Sequence, residues 1–524
     1  MSAGRYDLIV IGAGINGAAV AREAALLGRK VLLVEQGDVG GGTSAASTRL
    51  IHGGLRYLEH AEIGLVRESL HERERLLRLA PHLVTPLKLC LPIYRGGARK
   101  AWQIRAGMCL YDLLSAGKSV PRHRMLGRDE LLEELPGLAA ASLRGGAEYY
   151  DAQVAFPERL VLENVRDAVA HGTELRTYTR ATRIIAIDGR ARGIEWRRRD
   201  GTRGRADADI IVNASGPWVD RVVGDLATRK LIGGTKGSHV ISTPFPGAPA
   251  HAVYAEAAGD ARPFFVVPWN GLYLIGTTDE RYVDDPGEAR TSMAEYRYLI
   301  AAAERLFPSA APLEHRVCYT QAGVRPLPQT SKSRTGAITR SHIIHEHRNA
   351  RGLYSIIGGK LTTHRALAED VLRRLRRRLG VGGESASRER PLPGALGDAA
   401  SRDLRAEIGA KLGADQADRL WRIYGGEART IAARAQAELK MVVGPGSKVL
   451  VAELVHAVDE EWATSLADIL LRRCMAGLDA DRGIKTAPGV AQWLVRLGIW
   501  DKTRAEQELG EYRAHVRRFE RPAA

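Results

Sequence analysis

"YDLIVIGAGINGAAVAREAALLGRKVLLVE", residues 6–35, is the stretch on which the reading of the fold turns. Its opening run, Asp7 to Ile11, is apolar and β-branched, as a strand buried on both faces should be. Gly12, Gly14 and Gly17 follow at the G-x-G-x-x-G spacing, then a helical stretch, then a second strand over Val31 to Val34. At this spacing Gly12 permits the tight turn, Gly14 lets the backbone reach a pyrophosphate, and Gly17 lets helix and strand pack closely. The N–H groups at the helix start face the phosphates, where the helix dipole favours negative charge. Glu35 closes the second strand about 20 residues beyond the glycines, where a carboxylate accepts from ribose hydroxyls. It would also repel a 2′-phosphate. NAD and FAD both remain compatible with the fingerprint.

The next stretch, "QGDVGGGTSAASTRLIHGGLRYLEH" (36–60), departs from a plain NAD-binding fold, which usually continues into another crossover helix. Ser44, Ser47 and Thr48 offer hydroxyls to phosphate or ribitol. Gly53 and Gly54 are expected to admit an aromatic ring against bare backbone. Arg56 presents a guanidinium fork suited to an anion, with Tyr57 beside it.

With 524 residues the chain is long enough for two or three domains. A composition of 45% hydrophobic and 26% charged residues is that of a soluble globular protein, not a disordered one. The net charge of +16 favours anionic partners: nucleic acid, acidic lipid or a phosphorylated metabolite. The chain lacks the interleaved aromatic and basic residues of a nucleic-acid stacking platform, which places nucleic acid last. Cys90, Cys109, Cys318 and Cys474 form no CxxC pair and suggest neither a disulfide framework nor a metal knuckle, in keeping with a reducing compartment. No apolar run reaches the length of a membrane span, so a cytoplasmic protein, or one attached from the cytoplasmic side, is expected.

Residues 60–79 and 101–118 read as amphipathic helices. The second carries Trp102 and Met108 with Arg99, Lys100 and Arg105 near its start; its apolar stripe suits core packing or a membrane surface. Residues 174–189 and the hairpin around Arg197 to Arg199 read as strands, the triple arginine as a solvated hairpin. "ADIIVNASGPW" (208–218) is a buried strand broken at Gly216-Pro217. Residues 231–243 and 264–282 look like strands of a separate substrate sheet, and 353–375 like strand, glycine turn and helix. The histidines of "HIIHEH" (342–347) lack H-E-x-x-H spacing, and no metal is expected there. "RERPLPGALGD" (388–398) is a linker by composition. Everything beyond it is helical in pattern, including 451–478.

"IGAGINGAAVA", "TSAASTRLIHGGLRYLE", "VNASGPWVD", "KGSH", "IGTTD", "GVRPL" and "GGKLTTHR" occur in the order seen in the FAD-dependent, aerobic glycerol-3-phosphate dehydrogenases. The resemblance runs from the first strand to about residue 380. Some of these motifs belong to the wider glycine-oxidase and D-amino-acid-oxidase group; "LIHGGLRYLE" with "GGKLTT" is narrower. The fold implied is α/β: an FAD-binding Rossmann-like domain of the glucose-oxidase/D-amino-acid-oxidase type, interleaved with an antiparallel-sheet substrate domain, plus a C-terminal all-α domain. The expected boundaries are 1–75, 145–230 and 320–385 for FAD binding, 76–144 and 231–319 for substrate, and 386–524 for the helical domain.

The resemblance further implies that FAD contacts Gly12, Gly14, Ile15, Asn16, Gly17, Glu35, Gln36, Thr43, Ser44, Ser47, Leu50, His52, Gly53 and Gly54. Ala214, Gly216, Trp218, Gly358, Lys360, Leu361 and Thr362 complete the cofactor set. Substrate contacts fall on Arg56, Tyr57, Lys236, His239, Thr278, Arg325 and Lys360. His364 stands where the family more often has an aromatic residue and receives no role. The implied reaction takes sn-glycerol 3-phosphate to dihydroxyacetone phosphate, with hydride leaving C2 for the flavin and His52 or His239 as base. Electrons would pass to a membrane quinone, with peripheral contact at the cytoplasmic membrane face; a homodimer is compatible. A glycerol-phosphate oxidase using O2, a flavin oxidase of an amino or hydroxy acid, and a non-enzymatic polyanion or membrane binder are the alternatives.

Overall fold

The computed structural model describes residues 4–97, 99–257, 260, 262–330 and 338–523. Leu8–Ile11 is buried throughout and pairs in parallel with Val31–Val34 on one side and Ile211–Asn213 on the other. Leu353–Ile357 and Ile343–Glu346 extend the sheet beyond Ile211–Asn213, and Glu174–Arg176 extends it beyond Val31–Val34, giving six strands. Only the Ile343–Glu346 edge runs antiparallel. Helix Ile15–Leu26 is buried on nearly every face because it lies between helices Pro157–Ala170 and His364–Leu379. Its alanines permit that closeness, and Arg22 meets Asp167 at 2.7 Å inside the contact.

Two further sheets flank this core. Thr179–Ile187, Arg190–Arg198 and Arg203–Asp207 form an antiparallel meander, which Gly4–Arg5 joins in parallel. The third sheet has ten strands. Its membership cuts across the expected domain boundaries. Leu50–Ile51, Leu143–Val154 and Val317–Arg325 all pair within it, although their residue numbers fall wholly or largely in ranges assigned to FAD binding. The reason is register: Leu50 lies opposite Gln153, and Thr235 lies opposite Arg325, pairings over separations that no local pattern displays.

The 388–398 stretch contains neither helix nor strand until Asp398, yet it is hydrogen-bonded to elements that precede it. Leu392 N donates to Leu79 O, and Gly394 N to Glu163. The helical domain then begins with Asp398–Leu412. The helical pattern over 451–478 is met by several short segments, not by one helix. Val451–Asp459 ends before Trp462, which has φ +56°, and Ser465 caps a new start by accepting from Asp468 N. A π-helical turn, Ile469–Arg473, follows.

Candidate active site

The glycine turn opens onto a cavity of about 510 Å³, within the range of cofactor pockets. Gly12 has φ +102°, and a Cβ there would lie 2.8 Å from Ala214 O. A Cβ at Gly17 would lie 1.8 Å from Gly12 O, so close packing of turn and helix requires that glycine. Glu35 accepts from Ala13 N at 2.8 Å and Gly37 N at 2.9 Å, which holds the carboxylate at the cavity wall. Burial raises its pKa, and those backbone donors oppose the rise. Asn16 Oδ1 is buried without a partner. A bare-backbone cradle, a fixed carboxylate and an unsatisfied amide oxygen fit a dinucleotide.

Of the residues expected to hold the cofactor, Gly12, Gly14, Ile15, Asn16, Glu35, Gln36, Thr43, Ser44 and Ser47 line this cavity, as do Ala214, Gly216, Trp218, Gly358, Lys360 and Leu361. Gly17 works from behind the wall. Leu50, His52, Gly53, Gly54 and Thr362 lie off it. Thr48 turns instead to His239, with Oγ1 3.0 Å from Nε2. Gly358 and Gly359 have φ +75° and +93°, a double left-handed turn that aims the Lys360 side chain back at the first motif.

The glycine pair has a cause within the chain itself. A Cβ on Gly53 would lie 2.5 Å from the Tyr111 hydroxyl and 2.7 Å from Leu70. A Cβ on Gly54, which has φ +83°, would lie 2.2 Å from the Tyr57 ring. Side chains of Tyr111, Leu70 and Tyr57 thus by themselves require bare backbone at both positions. Gly53 N donates to Asp151, which also pairs with Arg73 at 2.8 Å and accepts from Tyr111. Lys360 Nζ donates to His52 O, Gly53 O and Ser69 Oγ at 3.2, 3.3 and 2.8 Å, and sits 4.8 Å from the centre of the Tyr57 ring. Burial brings the Lys360 pKa down to about 7, against the nearby carboxylates of Asp151 and Glu68.

Cationic groups converge around Tyr57. Burial raises its phenol pKa, while the charges of Arg340, Arg325 and Arg56 oppose the rise. Arg325 donates to Asp279 at 3.1 Å and to Thr277 Oγ1 at 3.0 Å; Arg340 donates to the same Asp279 at 3.2 Å. Gly237 makes room for the fork, since a Cβ there would lie 2.1 Å from Arg325 Nη2.

Two expected substrate residues point elsewhere. Strand alternation places Lys236 on the face opposite Gly237 and His239. Lys236 Nζ is 2.8 Å from Glu295 and donates to Arg290 O. Thr278 donates to Glu295 at 2.7 Å and accepts from Ser238 N. They form a buried support behind the sheet, and Thr277 is the threonine beside Arg325. Arg340, which the motif reading did not single out, joins Arg325 on Asp279.

Both candidate bases are held neutral. Burial, with help from Lys360, lowers His52 to about 4; burial, with Arg325 and Arg49, lowers His239 to about 3. His239 is only 1% exposed and bonded to Thr48, whereas His52 is half-buried, with its ring edge-on to Phe265 at 6.3 Å. In "HIIHEH", His342 pairs with Asp370 and His347 with Ser355. His364 is buried against Leu361 O.

These elements define a dinucleotide-binding protein, with a cluster of arginines around Tyr57 beside Lys360 of the cavity wall. The family model "FAD dependent oxidoreductase" matches residues 7–372, and "C-terminal domain of alpha-glycerophosphate oxidase" matches 385–505. A glycerol-3-phosphate dehydrogenase of Synechocystis is 40% identical, over 98% of this chain and 96% of that protein. The aerobic glycerol-3-phosphate dehydrogenase of Escherichia coli is 36% identical over 93% and 97%. The crystal structure of the Bacillus halodurans glycerol-3-phosphate dehydrogenase complexed with FAD superposes with a TM-score of 0.82, at 27% identity, covering 100% of this chain and 97% of that one. The chain belongs to the FAD-dependent oxidoreductase family and, within it, to the glycerol-3-phosphate dehydrogenases.

Proposed function

We propose that the protein oxidises sn-glycerol 3-phosphate to dihydroxyacetone phosphate and delivers the electrons to a membrane quinone. The observation that carries the reading is the position of Lys360: it lines the cofactor cavity and also touches Tyr57, on which the charges of three arginines act. A dianionic phosphate matches that surplus of positive charge better than a single carboxylate does.

FAD, when bound, supplies the two-electron acceptor. Ile15, Asn16, Glu35, Ser44 and Leu361 are the residues that would hold it. The chain's own groups do the rest. Arg325, Arg340 and Arg56 grip the phosphate and so fix the distance from that group to C2. Lys360 fastens the carbonyls of His52 and Gly53 and adds positive potential under the pocket. His52, kept neutral by burial, takes the C2 hydroxyl proton directly or through one water.

Among the described residues no helix is long and apolar enough to cross a membrane. Helix Ala101–Leu114 nevertheless turns two apolar faces outward from its axis. Ile104, Met108 and Tyr111 are buried, while Trp102 and Leu113 are 67% and 71% exposed on the line Trp102, Ala106, Cys109, Leu113. Arg105 is exposed beside that line, and Lys100 stands at the helix start. This stripe supports contact with an anionic bilayer. Flotation with anionic vesicles should be lost in the Trp102→Ser/Leu113→Ser double variant; undiminished flotation moves the contact elsewhere.

The central experiment is the visible spectrum of the holoenzyme under anaerobic addition of glycerol 3-phosphate. The flavin bands should bleach, with dihydroxyacetone phosphate formed in equal amount. An unchanged spectrum with glycerol 3-phosphate, but bleaching with an amino or hydroxy acid, overturns the assignment. Reoxidation by a soluble quinone much faster than by O2 is expected, and the reverse order indicates an oxidase.

A further inference from the structure

The far end of the cofactor cavity is built by the C-terminal domain. Glu35 marks the ribose end, and two elements flank it: the loop from Gly37 to Asp38, and the turn at Tyr178, whose N–H donates to Gly37 O at 2.9 Å. Both are gripped by one short segment of the helical domain. Asp38 is 5% exposed. Arg473 donates to its two carboxylate oxygens at 2.8 Å each, and Arg472 donates to it as well. Arg472 also donates to Asp468 at 2.7 Å, and the Tyr178 hydroxyl donates to the same Asp468 oxygen at 2.6 Å.

The backbone explains how adjacent arginines meet one carboxylate. Ile469–Arg473 is a π-helical turn, a rare local widening found mostly at functional sites. Glu461 O accepts twice from Arg473, at 3.0 and 2.7 Å, and fixes its guanidinium plane. Beyond this anchor, Ser465, Arg472, Tyr512 and His515 form part of the cavity wall. Buried ion pairs add little net stability over apolar packing, but removing one partner is costly, so such a contact specifies position more than it adds strength.

We propose that residues 468–473 are a latch on the adenosine end of the FAD site: the C-terminal domain must be docked for FAD to be retained, and bound FAD in turn fastens that domain. Asp38, Tyr178, Arg472 and Arg473 are positioning residues in this scheme. By linkage, whatever the docked domain adds to FAD affinity, FAD adds to docking.

The test uses the full-length holoenzyme and its Asp38→Asn and Tyr178→Phe variants. FAD affinity is read from flavin fluorescence during release and rebinding, and ADP is titrated as a competitor for rebinding. The expected result is weakening of both FAD and ADP by about 10-fold in Asp38→Asn, as for loss of a charged hydrogen bond, and by a few-fold in Tyr178→Phe. FAD should also slow tryptic cleavage after Arg388 in the wild type, and less so in the variants. Weakening of FAD without ADP places the effect away from the adenosine end and overturns the proposal. So does unchanged affinity for both, or absence of protection by FAD. Tyr178→Phe loses a single hydroxyl and carries the test by itself if Asp38→Asn does not fold.

Discussion

Asp279 accepts from Arg325 and from Arg340 and so holds the two guanidinium groups side by side near Tyr57. Arg340→Ala should therefore raise KM for glycerol 3-phosphate by roughly 10- to 100-fold, the cost of about 1.5–3 kcal/mol for a charged hydrogen bond, with a smaller fall in kcat. Arg340→Lys should restore only part of it, because a point charge does not replace the fork. Steady-state kinetics decide, and an unchanged KM removes Arg340 from the pocket. Lys360 gives a pH signature. Its pKa of about 7 makes it charged below neutrality and neutral above it. Its contribution to holding the anion in the free enzyme should fall as pH rises through 7. A fall in kcat/KM on that limb is expected in the wild type and should vanish in Lys360→Met. A limb of equal slope in both assigns the titration to another group.

At the scale of the strand, Thr235–Ser242 sorts its residues by alternation. Gly237 is the position that lets the neighbouring strand bring Arg325 across, and the atom its Cβ would strike is the mobile end of that side chain. Gly237→Ala is therefore predicted to leave the melting temperature within a few degrees while raising KM about 10-fold by displacing the fork. A large thermal shift with unchanged KM would show a purely structural glycine. The same strand marks where sequence reading stops. The G-x-G-x-x-G turn was legible because its steric demands are local: Gly17 packs on Gly12, five residues away. "KGSH" located the strand but not its faces, so Lys236 was read into the pocket when tertiary pairing turns it to Glu295. Arg340 has no glycine or periodic marker and reaches the site through Asp279, 61 residues away in sequence. The π turn was hidden because apolar periodicity runs through 451–478; the Ser465–Asp468 cap was the available signal for the break.

Across the whole molecule, burial leaves five histidines as uncharged as their interior sites demand. His52, His347 and His364 are lowered to about 4, and His239 and His515 to about 3, in each case chiefly by desolvation. They come from the glycine-pair segment, the strand Thr235–Ser242, the turn after Ile343–Glu346, the start of helix His364–Leu379 and the last long helix. In the unfolded chain they bind protons near pH 6.5. Between that value and their folded pKa the unfolded state holds more protons, so stability present above pH 6.5 is lost progressively as pH falls towards 3. Asp468, lowered to about 2, acts in the same direction lower down: its contribution is full above the ordinary carboxylate range and disappears as pH falls through 2. Each buried histidine is worth on the order of 1–2 kcal/mol over two pH units, so several together are comparable to a domain's whole stability. The holoenzyme should therefore begin to weaken near pH 6.5, well above the range where carboxylates titrate. Urea unfolding followed by tryptophan and flavin fluorescence at pH 7.5, 6 and 5 should show midpoints falling at each step. Equal midpoints at pH 7.5 and 5 would mean that these imidazoles accept protons inside the fold, and that water reaches sites where the packing leaves it no room.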